Sequence, residues 1–300
     1  MRPDGGLAVR FWGARGSVPV PGPSTLKYGG NTPCVEVRTP VGGSLIFDAG
    51  TGIRLLGRSA TGIGSRGGEG PIQIFLTHYH WDHIQGLPFF SPLRDPGARV
   101  VVHGFRQGQR GVEDLLRTQT DPVFFPVPYA RLPASMECRD LGPDPWVEDG
   151  VEVASIQVRH PGHTVGFRVR THQGAVAYVP DNELGEDPGG GYGASAPPFE
   201  ALRRFLEGVD LLIHDAMFTD AEYPSRQGWG HSSVGQAVRL AEEAGVGTLC
   251  LFHHAPGRAD AEMDEILEGA RRDVARRGSP LQVDAAREGD VWALGASGAR

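Results

Sequence analysis

The strongest constraint on this chain is the segment 77–83, which reads Thr-His-Tyr-His-Trp-Asp-His. It places three imidazoles and one carboxylate within six consecutive positions. Residues 72–76 before it, Ile-Gln-Ile-Phe-Leu, are apolar and partly β-branched, which is typical of a buried strand. The residues from Ile84 onward favour a loop that turns into a helix. The cluster therefore lies where a strand ends, and α/β folds place functional groups at that position.

This density of imidazole and carboxylate groups predicts a metal site. Both groups are typical ligands of zinc, manganese and iron. His78 and His80 point the same way at strand-like spacing, whereas Asp82 and His83 lie one turn further along the chain. Because ligands this close in sequence cannot all reach one ion without strain, the pattern favours two ions.

The size of the chain, 300 residues, allows one large α/β domain or two small ones. No linker and no internal repeat divides the sequence, so we predict a single domain over residues 1–300. With 39% apolar and 22% charged residues the composition is ordinary, and no apolar run is long enough for a membrane span. The first residues lack the apolar core of a signal peptide, which leaves a cytoplasmic location as the default expectation.

The cysteine positions and the net charge disfavour disulfide-rich proteins, cysteine metal sites and binding of large polyanions. Cys34, Cys138 and Cys250 are widely separated, so we expect buried thiols and neither a disulfide framework nor a cysteine metal site. The net charge of -7, without a basic run, disfavours large polyanionic partners. Bound metal would create a local positive site that this count does not include.

Hydrophobic patterns predict strands and helices in both halves of the chain. The expected strands cover residues 7–12, 34–38, 44–47, 72–76, 98–103, 135–141, 151–158, 164–171, 175–179, 210–213, 248–252, 281–283 and 291–294. The expected helices cover residues 53–59, 88–94, 111–118, 198–207, 232–244 and 259–277. Residues 62–70 are expected to form a loop, and the aromatic stretch 120–133 either covers the site or packs on the core. Because each half begins with several strands, this order suits an α/β fold of the four-layer αββα sandwich type.

Later strands also end in ligand-type residues, and two ions need more ligands than the first cluster supplies. These residues are His160 and His163 after strand 151–158, Asp181 after strand 175–179, and His253 and His254 after strand 248–252. The residues alone do not decide between His160 and His163. Asp48, which ends strand 44–47, is expected to accept a hydrogen bond from a ligand imidazole.

Several of these segments resemble one known family. Residues 78–83 resemble the His-x-His-x-Asp-His signature of the metallo-β-lactamase-fold hydrolases. Residues 160–168 are similar to the His-(five residues)-Gly-Tyr-Arg segment of the branch that contains ribonuclease Z and related phosphodiesterases. Residues 230–233 and 249–253 are similar to that branch's Gly-His-Ser-Thr and Leu-x-Leu-Thr-His elements. The resemblance extends over roughly residues 11–256 and implies the metallo-β-lactamase fold.

The resemblance implies two divalent ions, with zinc expected and manganese or iron as alternatives. The implied ligands are His78, His80 and His160 for the first ion, Asp82, His83 and His253 for the second, and Asp181 as the bridge between them. His231 is the implied proton donor, and Asp82 is also counted as catalytic. The residues expected to contact these ligands or to face the substrate are Asp48, His163, Ser233 and His254.

These features predict a dimetal phosphodiesterase that cleaves a small or cyclic phosphodiester. A lactonase or thioesterase on the same fold is the alternative enzyme, and a metal-binding sensor or accessory protein is the alternative from another class. One hairpin fills the interval between His160 and Asp181, so the long tRNA-binding arm of ribonuclease Z has no room there. We therefore expect no nucleic-acid partner and no membrane contact, and we consider a homodimer possible.

Overall fold

The structure is a computed structural model, and it describes residues 6–59, 70–185 and 199–294. Its strands are β1 (Leu7–Gly13), β2 (Cys34–Arg38), β3 (Ser44–Phe47), β4 (Ile72–Phe75), β5 (Arg99–Gly104), β6 (Ser135–Asp140), β7 (Trp146–Glu148), β8 (Val151–Gln157), β9 (Val165–Thr171), β10 (Gly174–Val179), β11 (Leu211–Asp215), β12 (Thr248–Phe252), β13 (Gln282–Ala285) and β14 (Val291–Leu294). Its α-helices are α1 (Ile53–Arg58), α2 (Trp81–Ile84), α3 (Val112–Gln119), α4 (Phe199–Phe205), α5 (Val234–Glu243) and α6 (Asp260–Arg276).

Within these residues the strands form two seven-stranded sheets. The first has the order β14-β1-β2-β3-β4-β5-β6, and the second has the order β13-β12-β11-β10-β9-β8-β7. Strand β14 pairs antiparallel with β1, so that Leu294 lies opposite Leu7. The last strand of the described chain therefore completes the sheet that the first strand begins.

The two sheets pack face to face over a shared apolar core. Phe47 and Phe75 of the first sheet lie 5.6 and 5.8 Å from Phe167 of the second, measured between ring centroids. All three rings are buried, and burial of such a side chain contributes about 1.5–3 kcal/mol. Helices α1 and α3 cover the outer face of the first sheet, and α4, α5 and α6 cover that of the second. This arrangement confirms the predicted αββα sandwich.

The predicted helix at 88–94 is wrong. Two short 3-10 turns, Leu87–Phe89 and Ser91–Arg94, occupy this region. Pro88 and Pro92 explain the difference, because proline lacks a backbone N–H and disfavours helical geometry in the residue before it.

The short strand β7 was not predicted, because three residues are too few to show an alternating pattern. It exists through its antiparallel pairing with β8, in which Trp146 lies opposite Val153. Of the predicted loop 62–70, only Gly70 lies within the described residues, and Pro198 of the predicted helix 198–207 also lies outside them.

The aromatic stretch 120–133 does not behave as one unit. Tyr129 packs on the outer core of the first sheet, and Phe125 meets Phe89 edge-on at 5.6 Å between ring centroids. Phe124, by contrast, is 74% exposed. Packing on the core therefore describes only part of this stretch.

Two further predictions can be compared with the described residues. Cys34 and Cys250 are buried free thiols as predicted, whereas Cys138 is only partly buried. Among the described helices, none combines the length and the apolar character that crossing a bilayer requires.

Candidate metal centre

The candidate ligands meet at one edge of the two packed sheets. His78 and His80 follow β4, Asp181 follows β10 and His253 follows β12. Strands β10, β11 and β12 are parallel, so their carboxyl ends lie at the same edge. Strand β8 also ends there, because it is antiparallel to β9, which is antiparallel to β10. His160 after β8 thereby reaches the residues that follow β4.

A first triad consists of His78, His80 and His160. The Nε2 atom of His160 lies 3.0 Å from Nδ1 of His80, and the rings of His78 and His80 are 4.5 Å apart between centroids. One potential ligand atom from each residue lies within 4.8 Å of the others. His78 and His160 are buried, whereas His80 is exposed, so the triad opens to solvent at His80.

A second triad consists of Asp82, His83 and His253, all buried. Helix α2 is one turn long and begins after His80, and this turn directs Asp82 and His83 inward. The Oδ2 atom of Asp82 lies 3.4 Å from Nε2 of His83 and 3.2 Å from Nε2 of His253. The backbone N–H of Ser17 donates to the same oxygen at 2.8 Å and fixes its position.

Asp181 lies between the two triads and directs one carboxylate oxygen toward each. Its Oδ2 atom is 3.6 Å from Nε2 of His160 and 3.9 Å from Nε2 of His78. Its Oδ1 atom is 3.1 Å from Nε2 of His83 and 3.4 Å from Nε2 of His253. The carboxylate has the position that a ligand shared by two ions requires.

The residues present fit divalent metal ions. Nε2 of His78 is buried and has no hydrogen-bond partner, and Nε2 of His83 and Oδ1 of Asp181 are buried and form no hydrogen bond although they lie 3.1 Å apart. Buried polar atoms without hydrogen bonds are costly, and coordinated ions would satisfy all three. Burial, together with the neighbouring His83, holds the pKa of His78 well below its usual value, and burial lowers the pKa of His160 to about 4. Both imidazoles are therefore neutral at pH 7, which is the form that binds metal.

Hydrogen bonds behind the ligands fix their orientation. His83 contacts the Asp48 carboxylate through Nδ1 at 2.7 Å, and Nδ1 of His160 contacts the Gly230 carbonyl at 2.8 Å. Since a carbonyl only accepts, Nδ1 of His160 carries the proton and Nε2 presents its lone pair to the cluster. Asp48 has a left-handed backbone, with φ of 61°, and also accepts from Thr77 and Tyr178. Asp48 thereby contacts the imidazole of a candidate ligand, and its role toward a bound metal stays a prediction.

His231 lies beside both triads. Its ring is 4.8 Å from that of His253 and 5.1 Å from that of His160. Nδ1 of His231 contacts the buried Asp215 carboxylate at 2.7 Å. Burial lowers the pKa of His231, but the Asp215 carboxylate outweighs this effect and raises the pKa to about 9. A protonated imidazole is thereby held at the edge of the cluster.

Two residues of this site were not identified from the sequence. Asp215 ends strand β11, and an apolar strand followed by a carboxylate is the same signal that indicated Asp181. Glu183 is buried and accepts from the backbone N–H groups of Gly228 and Gly230 at 2.8 and 2.9 Å. No local sequence pattern indicates the role of Glu183, because this role depends on contacts between distant loops.

His163, Ser233 and His254, which were expected to contact the ligands or to face the substrate, make their observed contacts with other groups, and a role of His163 toward the substrate stays a prediction. The His163 ring packs on Phe105 at 5.2 Å between centroids. Ser233 caps helix α5 and donates to a carboxylate outside the cluster. His254 contacts the Ala286 carbonyl through Nε2 at 2.8 Å. In each case the residue follows a candidate site residue closely in sequence, but the contacts of its side chain are with groups outside the two triads.

Residues 44–254 match the family described as the Beta-lactamase superfamily domain, and the chain belongs to this family. With its two packed sheets and its His/Asp cluster, it is a metal-dependent hydrolase of the metallo-β-lactamase fold.

Two ribonucleases are similar in sequence to this chain over most of its length. Ribonuclease Z of Halobacterium salinarum is 28% identical, with 88% of this chain and 92% of that protein covered. Ribonuclease BN of Escherichia coli O81 is 27% identical, with 66% and 75% covered.

Solved structures show the same fold at lower identity. The metallo-β-lactamase fold protein YhfI of Bacillus subtilis superposes with a TM-score of 0.68 at 18% identity, with 96% of this chain and 99% of that chain covered. The short form of human tRNase Z has a TM-score of 0.64 at 18% identity, with the same coverage.

The expectation of no nucleic-acid partner is wrong. Relatives that cover most of the chain are ribonucleases, at 28% and 27% identity. The physical reason is that a net charge of -7 describes the whole chain, whereas binding of a phosphate depends on the local field of the site.

Proposed function

We propose that this protein is a dimetal phosphodiesterase. The observation that carries the proposal is the Asp215–His231 pair beside the two triads that Asp181 joins. A phosphodiester needs charge neutralisation at its phosphate and a proton for its alkoxide leaving group. The candidate ligands could hold ions that neutralise the phosphate charge, and the Asp215–His231 pair is suited to give the alkoxide its proton.

In this proposal the seven candidate ligands hold two divalent ions. The ligands are His78, His80 and His160 on one side, Asp82, His83 and His253 on the other, and Asp181 between them. Two bound ions would supply Lewis-acid charge and a nucleophile at neutral pH. Zinc suits this set of imidazoles and carboxylates, and manganese and iron are alternatives. Zinc as the native metal and a cytoplasmic location stay predictions, which metal analysis and cell fractionation would test.

His231 supplies the proton. Asp215 accepts from Nδ1, so Nε2 of the same ring is the atom that can donate toward the cluster. Asp215 is itself fixed by the backbone N–H groups of Met217, at 3.0 Å, and Asn182, at 3.1 Å. An alkoxide leaves slowly without a proton, whereas a thiolate leaves readily. This arrangement therefore favours phosphodiester over thioester hydrolysis.

One panel of substrates tests the proposal. Protein reconstituted with zinc or manganese is assayed on bis(p-nitrophenyl) phosphate, a 2′,3′-cyclic nucleotide, an RNA with a 3′ extension, a lactone and a thioester. The RNA is included because the relatives are ribonucleases. We expect hydrolysis of one or more phosphodiesters and much lower rates on the lactone and thioester. Turnover of the lactone or thioester alone would contradict the proposal, as would no turnover of any ester.

A further inference from the structure

Glu183 is a buried carboxylate that lies two positions after Asp181 and belongs to neither triad. Its Oε2 atom accepts from the Gly230 N–H at 2.9 Å, and its Oε1 atom accepts from the Gly228 N–H at 2.8 Å. The Tyr223 hydroxyl also donates to Oε1, at 2.8 Å. A buried carboxylate is costly unless its oxygens accept hydrogen bonds, so these donors and the carboxylate hold each other in place. Glu183 thereby fixes the loop before α5.

The candidate ligand His160 is connected to Glu183 on two sides. The backbone N–H of Glu183 donates at 2.8 Å to the carbonyl of Arg159, the residue directly before His160. On the other side, Nδ1 of His160 contacts the Gly230 carbonyl at 2.8 Å, and the Gly230 N–H donates to the Glu183 carboxylate. These three hydrogen bonds and the peptide bond before His160 close a ring that returns to Glu183. A shift of the backbone or of the imidazole of His160 therefore stretches one of these hydrogen bonds.

The same loop leads into His231, the proposed proton donor. His231 directly follows Gly230, and its Nδ1 atom contacts the Asp215 carboxylate at 2.7 Å. Gly230 has a left-handed backbone with φ of 87°, and glycine adopts this conformation without the strain of a Cβ atom. Because Glu183 holds the Gly230 N–H, the chain enters His231 in a defined direction. One carboxylate thereby holds the residue that supplies an acceptor for a candidate ligand and that precedes the proposed proton donor.

We propose that Glu183 is a positioning residue, which orients the His160 imidazole for metal binding and the His231 imidazole for proton donation. The action on His231 rests on the proposed phosphodiesterase function, whereas the action on His160 concerns metal binding alone. Loss of a group that supports a ligand typically lowers metal affinity about 10–100-fold. Gly228 and Gly230 donate to different oxygens of the carboxylate. A glutamine side chain has only one oxygen, so Glu183→Gln leaves one of the two N–H groups without its acceptor.

Metal binding tests the role toward His160, with Tyr223→Phe as the matched control. This control removes one hydrogen bond of the same carboxylate and leaves both loop N–H groups paired. In competition with a chromophoric chelator, we expect Glu183→Gln to weaken zinc binding about 10–100-fold and Tyr223→Phe by less than about threefold. The absorption spectrum of the cobalt(II)-loaded protein, which depends on ligand geometry, should change only in Glu183→Gln. Glu183→Asp keeps both carboxylate oxygens, so it should recover part of the affinity, and it provides the test if Glu183→Gln does not fold.

Hydrolysis at saturating metal tests the role toward His231. We expect Glu183→Gln to lower kcat on an alkyl phosphodiester about tenfold more than on a nitrophenyl diester, because only the alkoxide needs a proton to leave. Equal losses on the two diesters would overturn the role toward His231. Zinc affinities and cobalt spectra that are the same in Glu183→Gln and Tyr223→Phe would overturn the role toward His160. Weaker zinc binding in Glu183→Gln, in a protein whose wild type hydrolyses no diester, would support the role toward His160 and contradict the phosphodiesterase function.

Discussion

At the scale of single residues, the side chains of His160 and His163 make different contacts, which predicts different roles. Nε2 of His160 lies 3.0 Å from Nδ1 of His80, whereas the His163 ring packs on Phe105. We predict that His160→Ala removes bound metal and activity together, because it deletes a candidate ligand. His163→Ala should keep its metal, and its activity should fall by less than about tenfold. Elemental analysis of the two purified variants, beside the rate on an aryl phosphodiester, provides the measurement.

The opposite pattern, with metal lost from His163→Ala and retained in His160→Ala, would contradict this assignment. Circular dichroism spectra serve as the control for folding, since both substitutions lie in the same loop between β8 and β9.

His231 contacts the Asp215 carboxylate, and neither residue belongs to the two triads. We predict that His231→Ala keeps the metal content of wild type. Its rate on an alkyl phosphodiester should fall about 10²–10⁴-fold, since the alkoxide no longer receives a proton. The rate on a nitrophenyl diester should fall far less, because the nitrophenolate leaves without one. Equal losses on the two substrates would assign His231 to phosphate binding.

At the scale of elements, the loop before α5 depends on two glycines that differ in their surroundings. Gly228 and Gly230 have φ of 83° and 87°, so any other residue is strained at both positions. A Cβ atom at Gly230 would clash with the His160 ring, whereas one at Gly228 would meet no atom within 4 Å. Gly230→Ala should therefore displace the His160 ring, and Gly228→Ala should not.

We predict a loss of metal affinity of about tenfold to hundredfold for Gly230→Ala, in line with other disturbances behind a ligand. Gly228→Ala is the matched control and should lose only about 1–2 kcal/mol of stability from backbone strain. Metal titration and denaturant unfolding of both variants separate the two effects. Equal metal affinities would show that the His160 position does not depend on this loop.

Elements with a clear local sequence pattern were predictable, and elements that depend on pairing with another strand were not. Strands β2 and β3 have the predicted bounds, because their apolar residues face cores on both sides. The helix predicted at 88–94 failed where prolines interrupt it, and β7 exists only through pairing with β8. The same distinction applies to the candidate site. The segment 77–83 shows a metal-binding pattern in its own sequence, whereas Glu183 accepts hydrogen bonds from a loop more than 40 positions away.

At the scale of the whole molecule, both ends of the described chain contribute strands to the same sheet. Strand β14 pairs with β1 in the first sheet, while the residues between them build most of both sheets. The apolar core between the sheets draws on residues from both. The centre lies at the common edge, with Asp82 and His83 from the first half of the chain and His160, Asp181 and His253 from the second. We therefore propose that residues 1–300 form one domain that unfolds as a unit and whose stability depends on metal.

Metal content and thermal unfolding test this proposal together. We predict about two divalent ions per chain after reconstitution, because Asp181 directs one oxygen to each triad. Chelation should lower the melting temperature by roughly 5–15 °C, since it leaves buried imidazoles and carboxylates without a partner and removes the contribution of binding to stability. Both forms should unfold in one transition by calorimetry. Two separate transitions would contradict a single domain. One ion per chain, with a melting temperature unaffected by the second equivalent of metal, would contradict the bridging role of Asp181.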